Sequence, residues 1–265
     1  MQPVPRLLLT DVVALARAAG EAILAVYAGE FSVTRKSDDS PLTLADLRAQ
    51  AIIAAGLERL APGVPLICEE SPVPPLAERA RWEWLWLVDP LDGTREFVDR
   101  NGEFTVNIAL VHRQRPVLGV LHVPVSSVDY YACEGVGAFR QEGGGLAHPI
   151  AARAHIVGRP RVVASRSHRG EGLDGFMARV GEHELKPAGS ALKFALIAEG
   201  SADLYPRVGP TSEWDTAAGH AIATVAGARV LGRDGLPLVY NARTTLLNPD
   251  FVCYADESRP WHALL

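Results

Sequence analysis

The stretch Trp86-Leu87-Val88-Asp89-Pro90-Leu91-Asp92-Gly93-Thr94-Arg95-Glu96-Phe97 constrains this chain more than any other. It opens as an apolar run ending at Val88, the pattern of a buried strand, and breaks at Asp89-Pro90. Proline removes a backbone donor and glycine permits a tight turn, so the strand end is predicted to curl into a helix start. That curl would point Asp89, Asp92 and the Leu91 carbonyl into one space. Hard oxygen donors of this kind suit Mg²⁺. The same residues also fit a plain turn followed by an Asp or Thr helix cap.

With 265 residues, the chain is long enough for one large domain or two intimately packed ones. Its 48% hydrophobic and 22% charged residues are those of a globular protein. The net charge is -5 and the basic residues are scattered, which speaks against a nucleic-acid partner. No apolar run approaches the roughly 18 residues of a membrane span. Pro3, Pro5 and Asp11 do not read as a signal peptide. Cys68, Cys133 and Cys253 are isolated and form neither a disulfide framework nor a metal-ligand spacing. The expectation is a cytoplasmic protein without an integral membrane segment, with the inner-membrane surface left open as a peripheral location.

Apolar residues at helical spacing predict a helix over Asp11–Tyr27, capped by Thr10 and followed by Gly29. A polar, mobile loop over 34–41 leads to a helix from about Leu44 to Leu60. Thr43 and Asp46 flank its start as a capping-box-like pair. Val64–Cys68 reads as a strand that ends at Glu69-Glu70-Ser71. Parallel or mixed sheets gather strand ends on one edge, so Glu69 is expected beside Asp89 and Asp92. Phe104–Val111, Val117–Val123 and Tyr130–Arg140 read as a meander, with Gly135 and Gly137 bending the last strand.

Strands and helices alternate in the second half, which places a boundary near residue 155 and predicts domains over 1–155 and 156–265. Arg161–Ala164 reads as a strand, Leu173–Val180 as a helix and His183–Lys186 as a strand. Gly189-Ser190 opens a helix over Ala191–Glu199, and Ala202–Tyr205 reads as another strand. Thr211 or Ser212 caps a helix beginning near Trp214-Asp215 and closing at Gly227. Asp234-Gly235 is read as a hairpin turn between Ala228–Leu231 and Leu236–Tyr240, and Phe251–Ala255 as the last strand.

Taken together, Asp89-Pro90-Leu91-Asp92-Gly93-Thr94, the upstream Glu69-Glu70 and the downstream Trp214-Asp215-Thr216-Ala217-Ala218-Gly219 resemble the inositol monophosphatase superfamily. Four further stretches resemble its 3′(2′),5′-bisphosphate nucleotidase branch, of the CysQ type. They are Val88–Leu110, with its Arg95-Glu96-Phe97 and Asn101-Gly102-Glu103-Phe104-Thr105-Val106-Asn107, then Val163–His168, Gly189–Phe194, and Glu199-Gly200 through Leu204–Arg207. The resemblance covers essentially the whole chain.

The resemblance implies a layered α+β fold, the αβαβα arrangement of sugar phosphatases, with a metal site between the two halves. It implies Mg²⁺-dependent removal of the 3′-phosphate from 3′-phosphoadenosine 5′-phosphate, and from its 5′-phosphosulfate relative, with two or three ions, lithium sensitivity and a place in sulfur assimilation. Glu69, Asp89, the Leu91 carbonyl, Asp92 and Asp215 match the metal ligands. Thr94 and Asp46 match the pair that orients and deprotonates the attacking water, so Asp46 becomes a catalytic candidate as well as a cap. Ser165, His168, Ser190 and Lys193 match substrate contacts, with Gly93, Thr94 and Asp215 also reaching the substrate. Arg207 is a weaker candidate for the same role. By spacing alone, Lys193 reads as a solvated helix lysine, His168 as a polar loop residue and His220 as structural.

This assignment needs no cysteine or histidine nucleophile, because phosphoryl transfer asks mainly for an aligned nucleophile and neutralised charge. Cys68, directly before Glu69, departs from the family pattern and reads as a small buried hydrophobe or as an oxidation-sensitive thiol. The rival readings are an inositol monophosphatase or sugar-bisphosphate phosphatase of the same superfamily, a non-catalytic nucleotide sensor, and a scaffold holding structural Ca²⁺.

Overall fold

Leu85 and Leu87 pack into one core, and their neighbours Trp86 and Val88 into another. A strand buried on both faces reads as a continuous apolar run, and helices must then cover both sides. The computed structural model, which describes residues 3–35, 41–165 and 170–265, shows that arrangement throughout. The first half supplies α1 (Pro5–Tyr27), the short antiparallel pair β1 (Thr34–Arg35) and β2 (Pro41–Leu42), and α2 (Leu44–Leu60). After these come β3 (Leu66–Cys68), the single turn α3 (Leu76–Arg79), β4 (Trp84–Asp92), α4 (Thr94–Val98), β5 (Thr105–His112), β6 (Arg115–Val123), β7 (Val128–Cys133), β8 (Gly137–Glu142) and β9 (Ala147–Pro149). The second half runs β10 (Arg161–Ser165), α5 (Glu171–Val180), β11 (Glu184–Ala188), α6 (Leu192–Ala198), β12 (Leu204–Arg207), α7 (Glu213–Val225), β13 (Arg229–Gly232) and β14 (Phe251–Tyr254), and closes with a 3₁₀ turn over Trp261–Leu264.

Among the described residues, β3 to β9 form a seven-stranded sheet in sequence order, antiparallel except for the parallel pair β3–β4. The second sheet has five strands in the order β11-β10-β12-β14-β13. Helices α1 and α2 cover one face of the large sheet, and α6 and α7 lie between the two sheets. Helix α5 and the closing 3₁₀ turn cover the outer face of the smaller sheet. The layers are therefore αβαβα, as the resemblance implied. Gly119 on β6 lets α7 lie close, since a Cβ there would run into the Ala218 carbonyl and Ala221. The expected boundary near residue 155 falls between the sheets, yet a single core cluster joins Leu87 and Leu121 to Phe194, Ile222 and Phe251. No helix among the described residues is long and apolar enough to cross a membrane.

Several elements depart from the sequence reading. Helix α1 starts at Pro5, not Asp11, and Val4 rather than Thr10 occupies its N-cap position. Proline is well placed in a first turn, where its missing N–H is no loss, and Leu9 extends the buried stripe by a turn. Tyr130–Arg140 is not one bent strand but the hairpin of β7 and β8, closed at Cys133↔Gly137. Gly135 (φ 76°) and Gly137 (φ 127°) reverse the chain there. Leu236–Tyr240 forms no strand; only a Leu231↔Pro237 bridge joins it to β13. β4 runs on through Asp92 instead of ending at Val88. Residues 36–40 of the expected loop lie outside the described residues.

Candidate active site

Parallel pairing of β3 and β4 sets Cys68 opposite Val88, and the Glu69 N–H continues the ladder to the Val88 carbonyl at 3.2 Å. Glu69 thereby comes to rest beside Asp89, as the strand-end argument expected. On the other side, β4 pairs with β5, and the register slips between Asp89↔Asn107 and Asp92↔Thr105. The slip at Pro90-Leu91 is closed by the Leu91 N–H donating to Asp89 Oδ1 at 3.0 Å. Gly93 follows at φ 90°, where a Cβ would come within 3.3 Å of Ser190 Cβ. This residue lets the chain turn left-handed into α4 while the Ser190 loop approaches.

Asp215 arrives from the other half of the chain, as the third residue of α7. Its Oδ2 accepts the Ser212 N–H at 2.8 Å, closing a capping box. One carboxylate oxygen from each of Glu69, Asp89 and Asp215 lies within 4.8 Å of the others. Asp92 lines the same cavity but spends its Oδ2 on the Ala191 N–H at 2.6 Å and the Asn107 amide at 3.1 Å. Thr94 Oγ1 donates to the Leu91 carbonyl at 3.3 Å.

These groups line a cavity of about 360 Å³ between the two halves. Gly93, Thr94, Ser165, Ser190, Lys193, Arg207 and Asp215 all line it; His168 lies outside the described residues. Lys193 is not the solvated lysine that spacing suggests, being 4% exposed. Its ammonium donates to the Ser190 carbonyl at 2.5 Å and to the Ala188 carbonyl at 3.4 Å, and sits 5.5 Å from the Tyr205 ring centroid. Asp46 is not among the described residues lining the cavity. Its Oδ2 accepts from Thr43 N (2.8 Å) and Thr43 Oγ1 (2.7 Å), while Thr43 Oγ1 accepts from Ala45 N (3.1 Å). The capping box expected at α2 is therefore formed. His220 is buried against the Tyr240 hydroxyl at 2.9 Å, and burial pushes its pKa down to about 3. Cys68 is buried, and desolvation raises its thiol to about 12, which suits the small-hydrophobe reading.

The carboxylates strain against one another. Burial, then Glu69, Asp92 and Asp215, holds the Asp89 carboxyl well above its ordinary range. Burial, then Asp92 and Glu69, does the same to Asp215. Asp92 rises to about 6 through burial, held back by Lys193, Asn107 and the Ala191 N–H. Burial in turn lowers Lys193 to about 8, against the pull of Asp92. Oxygen donors from three separate segments that mutually oppose ionisation fit a hard divalent cation, which replaces protons and relieves the repulsion. The sequence reading missed what orients Asp92. A buried Thr105 and Asn107 inside the apolar run Thr105–Val111 were the available signal, since a buried polar side chain needs a partner.

Comparisons with known proteins agree with this fold. The model of the inositol monophosphatase family matches residues 6–261. The 3′(2′),5′-bisphosphate nucleotidase CysQ of Salmonella typhimurium is 50% identical over 250 residues, covering 92% of this chain and 98% of that protein. The Escherichia coli K12 protein of the same name is 49% identical over the same coverage. Among solved structures, CysQ from Bacteroides thetaiotaomicron superposes with a TM-score of 0.83 at 42% identity, covering 94% of this chain and 97% of that one. An inositol monophosphatase from Thermotoga maritima shares the fold at a TM-score of 0.78 and 24% identity. With its layers, its acidic cluster and matches spanning nearly its full length, the chain belongs to the inositol monophosphatase family.

Proposed function

We propose that this chain is a Mg²⁺-dependent 3′(2′),5′-bisphosphate nucleotidase that hydrolyses the 3′-phosphate of 3′-phosphoadenosine 5′-phosphate to give AMP and phosphate, and that acts likewise on the 5′-phosphosulfate analogue. The observation that carries the reading is the convergence of Glu69, Asp89 and Asp215 in a cavity that also holds the buried Lys193. Relatives bearing the nucleotidase name at about half identity support the choice of substrate. A cytoplasmic enzyme of sulfur assimilation, acting on a small nucleotide, is the setting this implies.

In this reading Glu69, Asp89, the Leu91 carbonyl, Asp92 and Asp215 hold two or three ions. Bound Mg²⁺ supplies a polarised water and neutralises charge on the transferring phosphoryl group. The remaining work belongs to the chain. Thr94 would orient the attacking water, and Asp46, which does not line the cavity, would draw the proton through Thr94. Gly93, at the turn into α4, lets backbone and phosphate approach closely. Lys193 and Arg207 bring positive charge to the cavity, where Ser165 and Ser190 supply hydrogen bonds; the substrate contact that the resemblance gives His168 falls outside the described residues. Asn107 and the Ala191 N–H keep Asp92 oriented.

The test is phosphate release from 3′-phosphoadenosine 5′-phosphate, inositol 1-phosphate and fructose 1,6-bisphosphate, with Mg²⁺ and with chelator. The bisphosphate nucleotide should be turned over fastest and only with Mg²⁺; preference for inositol 1-phosphate would favour the rival reading. In the same panel Lys193→Ala should raise KM for the nucleotide by about tenfold or more and spare inositol 1-phosphate, because its contact exists already in the ground state. Equal losses on both substrates would remove Lys193 from recognition.

The raised carboxylates make a second prediction. A carboxyl whose folded pKa lies above its unfolded value favours the folded state below the unfolded pKa, and that contribution is lost as pH rises through the folded pKa. For Asp92 the window runs from 3.8 to about 6, and Asp89 and Asp215 shift in the same direction. Mg²⁺ competes with those protons. The gap in melting temperature between Mg²⁺ and chelator should therefore widen from about pH 4 to pH 7. A gap that is constant or shrinks as pH rises would contradict the cluster as the binding site.

A further inference from the structure

Glu213, the residue two before Asp215, is wholly buried at the first position of α7 and does not line the cavity. At about 100° per residue, positions 213 and 215 face opposite sides of the helix. The first turn therefore presents one carboxylate to the cavity and the other to the protein interior. Glu213 Oε2 accepts the Asn241 N–H at 2.6 Å, and its Oε1 accepts from Arg243 Nη2 at 3.2 Å. Asn241 stands at φ 55°, a conformation that asparagine tolerates better than most residues. Its side chain is gripped on both sides by Arg79, with Arg79 Nη1 donating to Asn241 Oδ1 at 2.7 Å and Asn241 Nδ2 donating to the Arg79 carbonyl at 2.7 Å. Arg79 is itself fully buried and also binds the Arg243 and Thr244 carbonyls, at 2.5 and 2.8 Å. It closes α3, on the segment that leaves β3 through Glu69.

A continuous buried chain of hydrogen bonds therefore runs from the segment after Glu69, through Arg79 and Asn241, to Glu213 and the first turn of α7. Glu69 and Asp215 are candidate ligands from segments far apart in sequence, and β3 and α7 share no backbone ladder that would set their separation. We propose that Glu213 is a positioning residue that, with Asn241, Arg243 and Arg79, sets the distance and orientation of Asp215 relative to Glu69 and so tunes metal affinity. The inference rests on the metal-site reading above. Groups behind a metal ligand hold its geometry, and disturbing them typically weakens binding about 10–100-fold. A residue serving only fold stability would lower the melting temperature and leave the affinity unchanged.

Glu213→Gln keeps the shape and the acceptor for the Asn241 N–H but removes the charge facing Arg243. Asn241→Gly keeps the backbone donor and suits the left-handed φ, while cutting the link to Arg79. Metal-free wild type and both variants are titrated with Mg²⁺ by calorimetry and melted in chelator; turnover is then followed against Mg²⁺ concentration. Glu213→Gln should bind Mg²⁺ about tenfold more weakly. Its half-saturating Mg²⁺ in turnover should rise in step, its KM at saturating metal should hold, and its metal-free melting should stay within a few degrees of wild type. Asn241→Gly should shift affinity in the same direction, and decides the matter if Glu213→Gln does not fold. Mg²⁺ affinity within twofold of wild type in the folded variants would overturn the positioning role alone. Absence of Mg²⁺ binding by wild type would overturn the metal reading, and this inference with it.

Discussion

Asp215→Asn should leave a folded chain with almost no turnover. In the proposed function the cluster would contribute charge stabilisation of several kcal/mol through the ions held there. At about 1.4 kcal/mol per factor of ten, loss of one charged ligand should cost roughly 10³-fold or more in kcat/KM. Stability should move the other way in chelator. Asp215 is half-buried, and desolvation, then Asp92 and Glu69, pushes its carboxyl well above the ordinary range, so a neutral amide removes both the desolvation cost of the charge and the repulsion. An asparagine oxygen can still accept the Ser212 N–H that closes the capping box. Metal-free Asp215→Asn should therefore melt at or above wild type, yet gain much less from added Mg²⁺. Asp92→Asn makes a less clean experiment. Asp92 also anchors Ala191 and Asn107 and faces Lys193, so its neutralisation disturbs the loop before α6 as well as the metal. Turnover within a few fold of wild type in Asp215→Asn would remove that residue from the site.

Asp46→Asn and Thr94→Ala separate helix cap from catalyst. The capping box at α2 exists, with Thr43 donating twice to Asp46 Oδ2. Losing a cap typically costs about 0.5–2 kcal/mol. For a chain of this size that is a few degrees of melting temperature. Asparagine keeps an acceptor for the Thr43 N–H, so the cost for Asp46→Asn should fall at the low end. A general base acts on the barrier instead, and its loss typically costs about 10²–10⁴-fold. The proposal that Asp46 draws a proton through Thr94 predicts kcat losses in that range for each variant, with melting within a few degrees of wild type. Since the two would act as one unit, the double variant should be little worse than either single. Near-normal kcat with lowered melting in Asp46→Asn would leave that residue as a cap and nothing more.

Local chemistry was enough to predict whatever depends on near neighbours in the chain. The turn at Gly93 and the box at Thr43 and Asp46 are decided within a few residues by glycine freedom and cap geometry. The apolar run ending at Val88 announced a buried strand, and the runs over β5 and β6 a meander; that these strands are buried on both faces came with the structure. Even the meeting of Glu69 with Asp89 was within reach, because one parallel pair aligns two strand ends. Two local readings failed, each for its own reason. The β7–β8 hairpin read as one strand because its apolar residues continue across the turn, and the start of α1 was hidden because Pro5 is tolerated where a helix begins.

Only the tertiary structure decided which charges are buried. Lys193 on α6 has the pattern of a surface lysine, and the approach of Tyr205 on β12 and of the Ala188 and Ser190 carbonyls makes it a buried cation facing Asp92. Nothing in the sequence singled out Arg79 or Glu213, yet both are wholly buried and joined through Asn241. The arrival of Asp215 beside Glu69 and Asp89 depends on where α7 crosses the large sheet, which Gly119 permits by leaving room for the Ala218 carbonyl. A side chain's type and its near neighbours set its local backbone preference. Its desolvation and its charge partners come from segments a hundred or more residues away, and those decide what chemistry it can perform.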